Sequence, residues 1–261
     1  MTLLITVLIV GMLVGGISSV LGLGGGIILV PALNVVFRLP HSEAIATSLA
    51  TIAFITLLNT VRFARRNEID WTLVFYLLIF SAVSSGFGGF LVTFLSEQIL
   101  LAIFILFLIY VLIQMFIGYQ SRHSAPKQKS RWYWMSLIGV SSGLISGTTG
   151  VGGGIIITPL LFKSRLVKEG HVVPLTNAIM FLNAFFALIP LAFAQSAEHS
   201  FWGVGLIHFD RALLLFLGAI PASILGTKYQ ARIPVKLKKV FIALILLVIL
   251  GRMILRWASS F

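Results

Sequence analysis

Charge is what this sequence has least of. Only 10% of its 261 residues are Asp, Glu, Lys or Arg, against roughly 25% in a soluble domain. With 59% hydrophobic residues and a mean hydropathy of +1.07, the chain lacks the polar side chains to cover itself in water. Cysteine is absent, which excludes disulfides and thiol chemistry. Acidic residues number seven, and none lies deep in an apolar run, so no buried carboxylate relay is evident. His, Asp and Glu form no cluster with metal-ligand spacing, and no nucleophile triad stands out, so an enzyme is a poor reading. Nothing calls for a cofactor.

The few charges are also confined. Residues 1–37, 44–61, 71–96, 98–121, 132–162 and 170–197 carry none. A helix crossing a bilayer needs roughly 20 apolar residues, so most of these runs qualify. Segments 212–227 and 237–257 are weaker; the second must snorkel Lys238, Lys239, Arg252 and Arg256 toward the interfaces. The runs are continuous rather than alternating, which selects helices over a barrel. The net charge of +12 sits in short loops between apolar runs, as in cytoplasmic loops, so a nucleic-acid partner is not implied. The apolar N-terminus lacks a basic leader and a cleavage site and reads as a retained first helix. The fold class expected is an all-α integral membrane protein in the bacterial-type cytoplasmic (inner) membrane.

A duplication organises the chain. Residues 11–33 align without gaps on 139–161, with 12 identities in 23 positions. Gly24-Gly25-Gly26-Ile27-Ile28 repeats as Gly152-Gly153-Gly154-Ile155-Ile156, and Pro31 repeats as Pro159. His41 and His171 correspond, as do Asp70 and Asp210. The expected organisation is a first transmembrane repeat at 1–121, a linker at 122–131 and a second repeat at 132–261.

The basic residues decide orientation. Eight simple crossings would place 10 Lys/Arg on one side and 9 on the other, which is no bias. If each glycine-containing run (2–37 and 132–162) goes in and comes back, the split becomes 15 to 4. Inside then lie Arg62, Arg65 and Arg66, the linker cations, Lys163, Arg165 and Lys168, and the five from Lys228 to Lys239. Arg38, Arg211, Arg252 and Arg256 remain outside. The positive-inside rule favours the second arrangement. Each half then makes five passes, so the halves are inverted, an architecture of many secondary transporters.

The glycine runs are the first candidate site. Gly22, Gly24, Gly25 and Gly26, and Gly150, Gly152, Gly153 and Gly154, break helices inside the membrane. Helices starting near Ile27 and Ile155 would present free N–H groups to an anion. The alternative is close helix packing through small residues. Thr47, Ser48, Thr51, Thr56 and Asn59 line the second segment; Thr176, Asn177 and Asn183 line its counterpart. Thr47, Ser48, Asn177 and Asn183 are candidate side-chain donors to an oxyanion; interhelical hydrogen bonding is the rival role. His41 and His171 read as loop or capping residues, and His199 and His208 fall in an outer loop.

These features resemble the sulfite exporter TauE/SafE family of permeases. The resemblance rests on the paired glycine motifs with Pro31 and Pro159, and on Ala46-Thr47-Ser48-Leu49. It also rests on Arg65-Arg66-Asn67-Glu68-Ile69-Asp70-Trp71, and on Gly218 through Gly226 with Arg232-Ile233-Pro234. It covers nearly the whole chain. It implies transport of a sulfur-bearing anion such as sulfite or an organosulfonate. The second half departs at Asn177-Ala178, where the first has Thr47-Ser48. The partners expected are a small anion and the lipid bilayer; coupling ion and oligomeric state are not legible. An anion channel, or a non-transporting membrane sensor or assembly protein, are the alternatives.

Overall fold

The computed structural model describes residues 2–21, 25–117, 131–164, 166–196, 202–230 and 235–258. These residues form helices in one order twice over. The first half holds α1 (Thr2–Leu21), α2 (Gly26–Val36), α3 (His41–Arg65), α4 (Trp71–Phe94) and α5 (Glu97–Ile117). The second holds α6 (Arg131–Thr149), α7 (Gly154–Ser164), α8 (Glu169–Phe193), α9 (Phe209–Gln230) and α10 (Val235–Ala258). Among the described residues, 41–65, 71–94, 97–114 and 170–193 are each long and apolar enough to cross a membrane. The chain is therefore an all-α membrane protein. One small departure is a two-stranded ladder between α8 and α9, β1 (Gly203–Val204) paired with β2 (Ile207–His208).

Both glycine-containing runs break where the repeat predicts. α2 and α7 have 11 residues each, about 16 Å of rise, so each reaches only about halfway across the bilayer core. Their starts are identical in pattern. The Gly25 carbonyl accepts the N–H of Ile28 and Leu29, both at 3.1 Å; the Gly153 carbonyl accepts those of Ile156 and Ile157, both at 3.0 Å. Local chemistry also sets the turn after α3. Asn67 takes a left-handed φ of 55°, and the Asp70 carboxylate accepts the Leu73 N–H at 3.1 Å to cap α4. That explains the Arg65–Trp71 segment as a stop, a turn and a start.

The halves interlock. α1 of the first half packs along α9 of the second, and α4 of the first along α6 of the second. Glycines make both contacts close. A Cβ on Gly11 or Gly15 would stand 2.5 Å from Leu215 O or 2.6 Å from Ala219 Cα. On the other seam, one on Gly147 would stand 2.4 Å from Ser85 O. Small residues allow such approach where lipid gives helices no hydrophobic reason to associate. The large apolar side chains point the other way: Phe75, Val83 and Phe94 on α4, Leu106 on α5 and Val248 and Leu255 on α10 are exposed, to lipid.

α3 and α8 lie antiparallel at the centre. The start of α3 meets the chain just after α8, through Glu43 and Ser196. Asn59 meets Asn177 further along, and beyond α3 the Glu68 carbonyl meets His171 Nδ1 near the start of α8. This pair of corresponding helices thus runs in opposite directions.

Candidate functional site

The two glycine breaks touch. A Cβ on Gly26 would fall 2.4 Å from Val151 Cα and 2.7 Å from Val151 O, so backbone abuts backbone. Gly25, Gly150, Gly152 and Gly153 hold φ of 84°, 72°, 79° and 80°, a region open to glycine without strain. These dihedrals let the chain reverse and begin a new helix at once. The N–H groups of Gly26, Ile27, Gly154 and Ile155 precede the first intrahelical bonds of α2 and α7. Two helix N-termini, each with partial positive charge, therefore start within three residues of one contact.

Side chains complete this centre unequally. Ser48 Oγ donates to the Gly150 carbonyl at 2.8 Å, fastening α3 to the second break. Thr47 Oγ1 accepts the His208 N–H at 3.3 Å, while the Thr47 carbonyl accepts Thr51 Oγ1 at 2.9 Å. Asn183 is fully buried on α8, with Nδ2 3.4 Å from Ser142 Oγ. A Cβ on Gly153 would stand 2.8 Å from Ser142 O and 3.4 Å from Asn183 Nδ2, which puts both residues against the break. Among the described residues, Asn183 Oδ1 and Ser146 Oγ are buried with no hydrogen-bond partner. Orphaned polar atoms in a packed interior are costly and point to a function beyond packing.

The structure thus gathers Gly25, Gly26, Gly150, Gly152, Gly153, Gly154, Thr47, Ser48 and Asn183. Gly22 and Gly24 lie outside the described residues. Asn177 is not brought to the break. Its Oδ1 accepts Asn59 Nδ2 at 3.1 Å and its Nδ2 donates to the Val173 carbonyl at 2.9 Å, so it ties α8 to α3. Asn59 is eleven residues beyond Ser48, about 16 Å along α3. Ser142 joins the site against Gly153, and Ser146 lies one turn before Gly150, although sequence reasoning did not select them as donors. The identity of Ser146 with Ser18 in the duplicated segment was the available signal.

Two readings of ionisable residues change. Glu43 opens α3 as expected of a segment end, yet it is fully buried. His208 is not in an open loop: it ends β2, is buried, and its Nε2 lies 2.8 Å from Glu43 Oε2. His41 does open a helix, buried, with Nδ1 2.6 Å from Asn34 Oδ1, and its backbone N–H donates to the Glu97 carboxylate. No group of three or more His, Cys, Asp or Glu suited to a metal occurs among the described residues.

Comparison with known proteins places the chain in a family. A family model described as "Sulfite exporter TauE/SafE" matches residues 7–253. A probable membrane transporter protein of Methanocaldococcus jannaschii is 30% identical over 92% of this chain and 91% of its own. Another, from Haemophilus influenzae, is 27% identical over 94% of each chain. A third, YdhB of Bacillus subtilis, is 26% identical over 87% of this chain and 91% of its own. No solved structure matches.

Proposed function

The chain is a membrane transporter of the sulfite exporter TauE/SafE family, and on that premise we propose that it carries a small sulfur-bearing anion, sulfite or an organosulfonate, by alternating access in the cytoplasmic membrane. The observation that carries the reading is the meeting of the two glycine breaks at Gly26 and Val151. There, two half-length helices start beside Asn183 and one turn after Ser146, and the Asn183 Oδ1 and Ser146 Oγ have no hydrogen-bond partner among the described residues. An oxyanion accepts hydrogen bonds from such donors without a full opposing charge. Half-helices meeting near the bilayer midplane are the substrate sites of inverted-repeat transporters. The antiparallel course of α3 and α8 supports inverted halves, since eight simple crossings would make these two helices parallel.

The substrate set we propose is the backbone N–H groups of Gly25, Gly26 and Gly152–Gly154, the Asn183 amide and the Ser146 hydroxyl. Thr47 and Ser48 hold the frame, and Asn177 secures the α3–α8 seam. The test is counterflow of radiolabelled sulfite in proteoliposomes, with sulfoacetate, thiosulfate and sulfate as competitors. Saturable exchange blocked by one competitor is expected, and exchange of trapped substrate distinguishes a carrier from a channel. Gly25→Val and Gly153→Val are expected to abolish it while the protein remains inserted. Normal counterflow by both variants would remove the site assignment.

A further inference from the structure

Glu43 and His208 occupy a dry position that the anion site does not use. Glu43 is 0% exposed in the first turn of α3, and His208 is 1% exposed at the end of β2. Nε2 of the imidazole lies 2.8 Å from one carboxylate oxygen, and Ser196 Oγ donates to the other at 2.7 Å. In the tautomer whose Nε2–H donates to Glu43, Nδ1 keeps its lone pair. Among the described residues, that Nδ1 is buried with no hydrogen-bond partner. Buried ionisable pairs within membrane proteins mark ion and proton pathways, and imidazole is the side chain whose charge changes near neutral pH.

We propose that the Glu43–His208 pair is the proton site that couples transport to a proton gradient, taking one proton at His208 Nδ1 for each anion carried. The proposal rests on the transporter reading above. An N–H bond forms at Nδ1 as a hydronium O–H breaks on the side open to the site, and on the other side N–H breaks as a water molecule takes the proton. Without it the pair carries one negative charge, and with it imidazolium and carboxylate sum to zero. Position ties this charge to the substrate. Glu43 precedes Ser48, which grips the second break, by five residues, about 7.5 Å along α3. His208 also donates its backbone N–H to Thr47, one turn after Glu43. A negative pair there opposes an anion at the breaks, and a neutral pair does not, so proton and anion load and unload together. Ser196 follows α8, so the hydrogen bond it gives Glu43 also spans the seam between α3 and α8.

Other ionisable groups at this end of the bundle include Arg38 just before α3, His41 on α3, Glu97 opening α5, and Arg252 and Arg256 on α10. Arg256 Nη1 donates to the Asn34 carbonyl at 3.2 Å. Asp210 and Arg211 open α9 directly after His208, and α2 contributes no charged residue. Glu198 and His199, between α8 and β1, lie outside the described residues.

Two measurements test the proposal. In the first, the whole protein in nanodiscs carries 15N-labelled histidine. The ring signal missing from His208→Gln is expected to report proton uptake as the pH is lowered, and to move in Glu43→Gln. A His208 ring that does not titrate overturns the proposal whatever the substrate is. In the second, sulfite uptake into proteoliposomes is compared with and without an inward proton gradient. Glu43→Gln is expected to lose at least about tenfold of gradient-driven accumulation and to retain counterflow at equal pH. A structural role alone would lower both together. Wild-type uptake indifferent to the gradient, or gradient-driven accumulation surviving in Glu43→Gln, overturns the coupling. Absence of counterflow in the wild type removes the sulfur-anion reading instead, and the titration still decides the proton site.

Discussion

Gly26→Ala isolates the contact between the two breaks. Gly26 opens α2 and is not among the residues with positive φ, so an added methyl brings no left-handed strain. Alanine even favours a helix over glycine, by about 1 kcal/mol. The obstacle is Val151: its Cα, O and C would stand 2.4, 2.7 and 2.8 Å from the new Cβ. These are backbone atoms, so no rotamer change relieves them. Carbon atoms settle about 3.5–4.0 Å apart, so the breaks must separate by about an ångström or more. Overpacking of this kind costs about 1–3 kcal/mol, and a misplacement of about 1 Å at a binding geometry costs up to about a hundredfold in rate. Gly86→Ala on α4 is the control, since its nearest neighbour, Phe186 O, would lie at an ordinary 3.7 Å. Thermal unfolding in detergent and sulfite counterflow are measured together. Gly26→Ala is expected to melt lower and to lose counterflow at least about tenfold, with Gly86→Ala close to the parent. A Gly26→Ala protein with parental counterflow would refute the view that this contact sets the substrate geometry.

Ser146→Ala removes a buried hydroxyl that has no partner, so unfolding is expected to be unchanged or later, by up to about 1 kcal/mol. The KM for sulfite is nevertheless expected to rise; an unchanged KM would take Ser146 out of the substrate set. Because the chain has no cysteine, single cysteines placed at Ala125 and Lys168 report topology directly. Both are expected to react with a membrane-impermeant maleimide from the same side, and opposite sides would contradict inverted halves.

Much of the architecture was legible because bilayers impose simple rules. Charge-free runs marked the helices, and the duplicated glycines marked the breaks before α2 and α7, since no other local sequence so readily permits φ near +80°. Side-chain roles were less legible, because they depend on which helices meet. Asn177 and Asn183 look alike in sequence, yet one fastens α8 to α3 and the other faces Gly153. Glu43 and His208 are 165 positions apart. Nothing local says that the hairpin before α9 folds back onto the start of α3, so a segment-end carboxylate and a loop histidine gave no sign of being buried together. Ser142 and Ser146 sit amid glycines, where their spacing reads equally well as helix packing.

The interlocked helices also constrain how the site opens. The Gly26–Val151 contact leaves no space for an anion between the breaks, so loading must part them. Rocking one half of the sequence against the other would pull α1 from α9 and α4 from α6, tearing both glycine-lined seams. Movement along the α3–α8 seam preserves them. It leaves α1, α2, α3 and α9 as one body and α4, α6, α7 and α8 as the other. Among the described residues, the polar contacts that cross between bodies include Ser48 to Gly150, Asn59 to Asn177, Glu68 to His171 and Glu43 to Ser196. Interhelical hydrogen bonds in membranes average about 0.6 kcal/mol, weak enough to break and reform in each cycle. Paired cysteines separate the two motions. Tyr76→Cys with Trp132→Cys joins α4 to α6, where the two rings pack with centroids 5.7 Å apart. Asn59→Cys with Asn177→Cys joins α3 to α8. Bridging the first pair with a short reducible bis-thiosulfonate is expected to leave sulfite counterflow running, and bridging the second to stop it until the bridge is reduced. The opposite pattern would mean that the sequence halves themselves are the moving bodies.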